Sequence, residues 1–373
     1  FGPQCQDFRE GVDIITATAG RILDHIKRET VKTDNISMFI LDEADEMLNM
    51  GFQDDVEFVM DKIANQPVQK CLFSATLPSW VDKLVKKHMN KPVTVDVVGD
   101  AANHTNTDIT HQIMPCPWNT RGDTIADLCK IHGGSKCKVL IFCDTKNECN
   151  ELSMHDKLAS LGAAVLHGDI PQVQREKTME KFRTGKVHVL VATDVAARGL
   201  DIPHVDLVLQ IHPPNDADTY VHRSGRTGRA GNKGVSVVMY THKEEYLVKL
   251  LKHKKGISFK RVGPPQPADL VASSCKEHVE NMKKIHDDNI HAFAAMARHA
   301  MEEMGPEHAL SAALSMLSGY SERIKPRSLL SSAEGFVCWQ VTSSKGLEST
   351  SKAWYLLRQM CPEHIAAEAK GMS

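Results

Sequence analysis

Short apolar runs alternate with stretches of helical period along the first two-thirds of the chain. Residues 38–41 (MFIL) and 70–73 (KCLF) read as buried strands, and 56–63 between them carries a helical pattern. Strands alternating with helices predict a parallel sheet covered on both faces. Residues 99–110 (GDAANHTNTDIT) are polar, have no apolar period and read as a linker. The same grammar restarts over 111–262. Strand candidates there are 139–143, 164–167, 188–192, 206–211 and 235–240, separated by helical stretches such as 148–160 and 172–182. Gly185 sits where a glycine closes a helix.

After the GPPQP run at 263–267 the composition turns Ala- and Met-rich. Phe293, Met296, Ala297, Ala300, Met301 and Met304 form an amphipathic helical stripe. Gly305-Pro306 ends that helix and starts another, whose stripe is Leu310, Ala313, Leu314 and Leu317, closed by Gly319. The double stripe reads either as a self-association surface or as core packed against the preceding domain. Residues 328–373 begin a further unit, with a strand expected over 335–341 and a helix over 351–360. The predicted class is therefore α/β, with two domains of similar design at 1–98 and 111–262. The linker 99–110 joins them, a helical segment follows at 263–327, and a small unit starts at 328–373.

The chain has 373 residues, which suggests two or three domains. Apolar residues are 42% and charged residues 25%, ordinary values for a globular protein. No run approaches the roughly 18 apolar residues of a spanning helix, so no membrane partner is expected. Forty-five basic against 47 acidic residues leave a net charge of −2, which excludes nucleic-acid binding through bulk positive charge. Any such binding must rest on a few placed contacts. The ten cysteines form no C-x-x-C pair and read as reduced thiols, and zinc is not expected.

The chemistry gathers where strands end. Asp42-Glu43-Ala44-Asp45 follows the first apolar run, and open α/β sheets bind ligands at that edge. One carboxylate there can hold Mg²⁺ through water, and the next can orient or deprotonate an attacking water. An acidic helix start in a solvated loop is the plainer reading of the tetrad alone. Ser74-Ala75-Thr76 follows the second strand, either as hydroxyls bridging to the acidic cluster or as a simple turn. In the second domain 192–201 (ATDVAARGLD) follows a strand, and 222–229 (HRSGRTGR) lies further on. Arg223, Arg226 and Arg229, spaced by glycines, are costly to place together without an anion, and guanidinium groups match phosphate oxygens. A basic surface loop is the alternative.

These blocks, in this order, resemble the DEAD-box RNA helicases over residues 1 to about 260. That family has two RecA-like domains, with ATP and RNA held between them. The resemblance includes 141–146 (IFCDTK) and Gln172 with Arg175. It implies that Asp42 holds Mg²⁺ through water and Glu43 acts on the attacking water. Asp45, Ser74, Thr76, His222 and Arg223 would couple hydrolysis to closure. Asp201 would contact the ATP ribose, with Gly199 beside the phosphates. Arg226 and Arg229 would reach the γ-phosphate. Thr18, Gly20, Arg21, Thr145, Gln172, Arg175 and Thr193 would grip RNA backbone, which positions RNA without reading its sequence.

The sequence departs from the family in two places. Thr18-Ala19-Gly20-Arg21 has alanine where the family's motif has proline. The phosphate-binding pattern G-x-x-x-x-G-K-[ST] is absent from 1–373, so the first domain is expected to be incomplete and this stretch alone inactive. The C-terminal third is similar to the nucleolar RNA helicase Gu group and its plant relatives, where a helical segment leads into a small RRM-like domain called GUCT. Phe336 and Trp339 would then either stack bases or fill the core. The resemblance implies an ATP-dependent helicase acting on ribosomal RNA or pre-ribosomal particles, with homodimerisation through 263–327. It also implies the nucleus and nucleolus, an organelle such as the mitochondrion being the alternative. A scaffold that binds RNA without ATP is the rival class.

Overall fold

The computed structural model describes residues 1–49, 51–96, 108–133, 137–197, 205–228, 231–255, 257–321, 323–329, 334–339 and 349–369. Contacts divide the chain into two units, Phe1–Thr105 and Asn106–Ser373. No helix among the described residues is long and apolar enough to cross a membrane.

The first unit runs α1 (Gly2–Glu10), α2 (Ala19–Lys27), β1 (Met38–Leu41), α3 (Ala44–Asn49), α4 (Gln53–Lys62), β2 (Gln69–Leu72) and α5 (Ser79–His88). Strands β1 and β2 pair in parallel, from Met38 opposite Gln69 to Leu41 opposite Leu72. Side chains alternate between the faces of a strand. Leu41, with Phe39 beside it, therefore packs on a core of Val56, Met60, Trp80, Val81 and Leu84, supplied by α4 and α5. The alternate positions Met38 and Ile40 are 51% and 56% exposed, so within this unit the sheet is covered on one face.

The second unit runs β3 (Ile109–Pro115), α6 (Trp118–Gly133), β4 (Val139–Cys143), α7 (Lys146–Met154), α8 (Asp156–Ser160), β5 (Ala164–Leu166), α9 (Gln172–Arg183), β6 (Val189–Thr193), α10 (Asp194–Ala197) and β7 (Leu207–Gln210). It continues with α11 (Ala217–Ser224), β8 (Gly234–Tyr240), α12 (Glu245–Lys255), β9 (Lys260–Arg261), α13 (Pro267–Met282), α14 (Asp287–Met304), α15 (Pro306–Leu317), α16 (Thr350–Met360) and α17 (Glu363–Glu368). Its sheet has the order β5-β6-β4-β7-β8-β3-β9, with every pairing parallel. The central strands are buried on both faces, which is why they read as unbroken apolar runs. Val139, Ile141 and Cys143 face one core, with Val189, Val191, Leu207 and Leu209. Leu140 and Phe142 face the other, with Leu190, Ala192 and Phe182. Each fully buried side chain of this kind contributes roughly 1.5–3 kcal/mol. From β4 the chain steps out to β5, returns through β6 and crosses to β7 on the other side of β4. Loops after these strands share the carboxyl edge, where ligands of such sheets bind.

Several boundaries differ from the sequence reading. Ile109 and Thr110, placed in the linker, begin β3, which is held between β8 and β9. Of the rest of the linker reading, Asp108 is described and 99–107 lie outside the described residues. The stretch 148–160 is two helices, because His155 is extended at ψ 126 between them. Its ring sits against Gly122 of α6, where a Cβ would come within 2.5 Å of it. Leu158, three residues on, is fully buried in the core.

At the C-terminal end, Gly305 closes α14 with φ 83 and Pro306 opens α15. Helix α13 lies on α6, with the Ser273 hydroxyl donating to the Lys130 carbonyl at 3.0 Å. The stripe on α14 and α15 is not core: Phe293 is 74% and Met296 67% exposed. The strand expected from 335 does not form over the described 335–339. Gly335 takes φ 83 and turns the chain just after Glu334 bridges to Arg327. Its further residues 340 and 341 lie outside the described residues. Phe336 and Trp339 are both exposed rather than core.

Candidate functional site

In the first unit the acidic tetrad and the Ser-Ala-Thr block close the ends of two paired strands. Phe73 N–H donates to the Leu41 carbonyl at 2.8 Å, and Ala44 N–H donates back to the Phe73 carbonyl at 3.1 Å. These bonds extend the ladder past β1 and β2 and bring the motifs together. Buried Asp45 accepts on one oxygen from the Thr76 N–H at 2.9 Å and the Thr76 hydroxyl at 2.8 Å. The Ser74 hydroxyl accepts from Asp45 N–H at 3.2 Å and donates to the Thr76 carbonyl at 2.6 Å. The tetrad thus divides by role. Asp45 turns inward as a latch, while Asp42 and Glu43 stay exposed at the strand end.

Glu43 has φ 50, in the left-handed region, and its N–H donates to Asp42 Oδ1 at 2.9 Å. That conformation costs a non-glycine residue about 1–2 kcal/mol. The ladder bond of Ala44 and the Asp45 latch follow at once and hold it there. Two exposed carboxylates at a strand end supply hard oxygen donors, a set that fits Mg²⁺.

Thr18, Gly20 and Arg21 surround the start of α2. Thr18 is the residue before the helix, and its carbonyl accepts from the N–H groups of Arg21 and Ile22 at 3.1 Å. Its side chain makes no capping bond. The guanidinium of exposed Arg21 lies 4.9 Å from the centre of the Phe1 ring.

In the second unit the named residues sit on the carboxyl edge. Thr145 follows β4 and caps α7, accepting from Glu148 N–H at 3.2 Å. Thr193 ends β6. Gln172 and Arg175 lie in the first turn of α9, after β5. Arg175 donates to Gln172 Oε1 and to the Ala196 carbonyl, each at 3.4 Å. Asp169 is paired with Lys146 at 2.7 Å.

Arg223 finds its anions within the fold. Its Nε and one Nη hold Asp194 at 2.7 and 2.6 Å, and the same Nη reaches Asp144 at 2.9 Å. Burial opposes its charge, but Asp194 and then Asp144 outweigh burial, and its pKa is raised. Arg223 therefore ties α11 to the residues after β4 and β6. His222 precedes it on α11 and Arg226 follows the helix. Gly199, Asp201 and Arg229 lie outside the described residues.

Motif reading quoted Asp144 and Asp194 inside its blocks without giving them a role, and it missed Glu148, His212 and Glu244. For the missed three, the Thr145-x-x-Glu148 spacing of a capping box was the one local signal. The others come together only through the sheet.

Family models match in four places. The DEAD/DEAH box helicase model covers residues 2–84 and the helicase conserved C-terminal domain 123–231. The DDX21/DDX50 dimerisation domain covers 266–317 and the GUCT (NUC152) domain 319–373. Nucleolar RNA helicase 2 of Rattus norvegicus is 40% identical over all of this chain and 48% of its own length. DEAD-box ATP-dependent RNA helicase 7 of Arabidopsis thaliana is 40% identical over 98% of this chain and 54% of its own. The chain spans about half the length of these curated relatives. S. cerevisiae Dbp5 bound to RNA and ADP BeF3 superposes with a TM-score of 0.59. It is 32% identical over 68% of this chain and 66% of that one. With RecA-like parallel sheets, a helical segment and a GUCT domain, the chain belongs to the DEAD-box RNA helicase family, in the group that carries the DDX21/DDX50 dimerisation domain.

Proposed function

We propose that the full-length protein hydrolyses ATP to remodel structured RNA or RNA–protein complexes in ribosome biogenesis, in the nucleolus. The observation that carries the reading is the Asp45 latch, which leaves Asp42 and Glu43 presented at a strand end. The match to a protein named nucleolar RNA helicase 2 supports the compartment and the process. In this reading Asp42 would hold Mg²⁺ through water, and the ion would supply positive charge to offset that of the phosphates. Glu43 orients the attacking water and takes its proton. Asp201 binds the ATP ribose, with Gly199 beside the phosphates. Arg226 and Arg229 stabilise charge on the γ-phosphate, a role worth roughly 10³–10⁵ in rate. Asp45, Ser74, Thr76, His222 and Arg223 couple hydrolysis to RNA binding. Thr18, Gly20, Arg21, Thr145, Gln172, Arg175 and Thr193 hold RNA backbone, and the exposed stripe of α14 and α15 joins two copies.

Glu43→Gln in the full-length protein tests this reading. RNA-stimulated ATP turnover should disappear while RNA-bound, nucleotide-bound complexes persist. Wild-type turnover in that variant would remove Glu43 from the chemistry. A wild-type protein with no turnover at all would favour an RNA-binding scaffold.

A further inference from the structure

His212 follows β7 and lies between two carboxylates from different elements. Its Nε2 is 3.1 Å from Glu148 Oε1, and its Nδ1 is 2.5 Å from Glu244 Oε1. Each carboxylate also holds a turn with its other oxygen. Glu148 Oε2 accepts from the N–H groups of Asp144 at 3.1 Å and Thr145 at 3.0 Å. Glu244 Oε2 accepts from the Thr241 N–H and hydroxyl, both at 2.7 Å. The imidazole stacks on Trp118, with centroids 5.7 Å apart and planes at 15°. Stacking sets the ring plane, so each nitrogen stays aimed at its acid.

Ionised carboxylates only accept, so holding both requires an N–H on each ring nitrogen, which is the imidazolium. The charged groups facing the ring are Glu148 on α7, Glu244 in the turn after β8, Asp144 after β4 and Arg121 on α6. Arg121 approaches Nδ1 to 3.4 Å and works against the charge. Burial opposes it more strongly, yet the hydrogen bond to Glu244 and the nearby carboxylates outweigh both, and the His212 pKa is raised. Burial also pushes Glu244 up, but its bonds from His212 and Thr241 hold it down at about 2.

The far end of this chain of contacts is Thr145. Glu148 reaches its backbone through a flexible side chain, and His212 pins the other oxygen of that carboxylate. We propose that His212 is a positioning residue for RNA binding: it braces Glu148 against Glu244 and so holds the 144–145 turn in its RNA-binding shape. The proposal rests on the assignment of Thr145 to RNA contact made above. A histidine with a raised folded pKa keeps its contribution below the ordinary value and loses it as pH climbs through the raised one. RNA binding should weaken in that direction.

The test is the affinity of the full-length protein for single-stranded RNA with ADP and beryllium fluoride, from about pH 6 to 9 at constant ionic strength. Wild-type affinity should fall about threefold to tenfold over that range, the usual size of coupling between touching residues. His212→Ala should bind at the weak, high-pH level throughout. His212→Lys keeps a cation between the two acids and should retain the tight, low-pH level throughout. Adding His212→Ala to Thr145→Ala should cost nothing further. If Thr145→Ala binds RNA like wild type, the assignment of Thr145 fails and the brace falls with it. If Thr145→Ala weakens binding while His212→Ala keeps both affinity and pH slope, the brace alone is overturned. Additive losses in the double variant would likewise overturn it.

Discussion

The carboxylate of Asp45 accepts two hydrogen bonds from one residue, Thr76, through its main chain and its hydroxyl. The last acid of the tetrad is thereby bound to the Ser-Ala-Thr block rather than offered to a ligand. Thr76→Ala removes the hydroxyl bond and leaves the main-chain one. A hydrogen bond to a charged group contributes about 1.5–3 kcal/mol, enough to loosen the latch without unfolding the unit. Strand separation per ATP hydrolysed should fall in Thr76→Ala while hydrolysis is kept. Equal loss of both would make the latch a structural element only.

Arg175 sits at the start of α9 with two long hydrogen bonds, and the nearby Asp169 pairs with Lys146 instead. Arg175→Ala should weaken binding to unrelated single-stranded RNAs about equally. It should also lower the salt dependence of affinity by roughly one phosphate contact. A loss limited to one RNA sequence, or an unchanged salt slope, would count against a phosphate clamp.

Arg223 is buried and shared by Asp194 and Asp144. Arg223→Ala leaves those carboxylates without their cation. The arginine is buried but Asp144 and Asp194 are partly solvated, so the loss is that of hydrogen bonds to charged groups, about 1.5–3 kcal/mol, which lowers a melting temperature by roughly 3–12 °C in a unit of this size. Calorimetry checks it. A melting temperature within a degree of wild type would show that the pair contributes little.

The stripe on α14 and α15 lies in the segment that matches a dimerisation domain. Phe293→Asp places a charge where the side chain is 74% exposed, so the fold of the single chain should be unaffected. Analytical ultracentrifugation should show dimer for wild type and monomer for the variant. Unchanged mass would exclude this face as the contact.

Much of this arrangement is legible along the chain. The apolar run 139–143 announces a strand buried on both faces, and β4 occupies those residues. Gly305-Pro306 marks a helix end and a helix start from local backbone preference alone, and α14 and α15 meet there. The unbroken run 148–160 misleads, because the chain breaks at His155, whose ring packs against Gly122 on another helix. The stripe at 293–317 left two readings open, and its exposure removes the one in which it is core. Helical period reports that a face is apolar, and it carries no information on what covers it.

The sequence by itself determined which residues can do chemistry and where strands end, because motifs and periodicity depend on neighbours a few positions apart. Tertiary structure decided how those residues are shared out. Asp45 became a latch through contacts 31 residues away, and Arg223 found its acids 29 and 79 residues away. His212 acquired both its carboxylates from elements that only the sheet brings together. Charge pairing and burial depend on distances across the fold, and a parallel sheet sets those distances by strand order rather than by position along the chain.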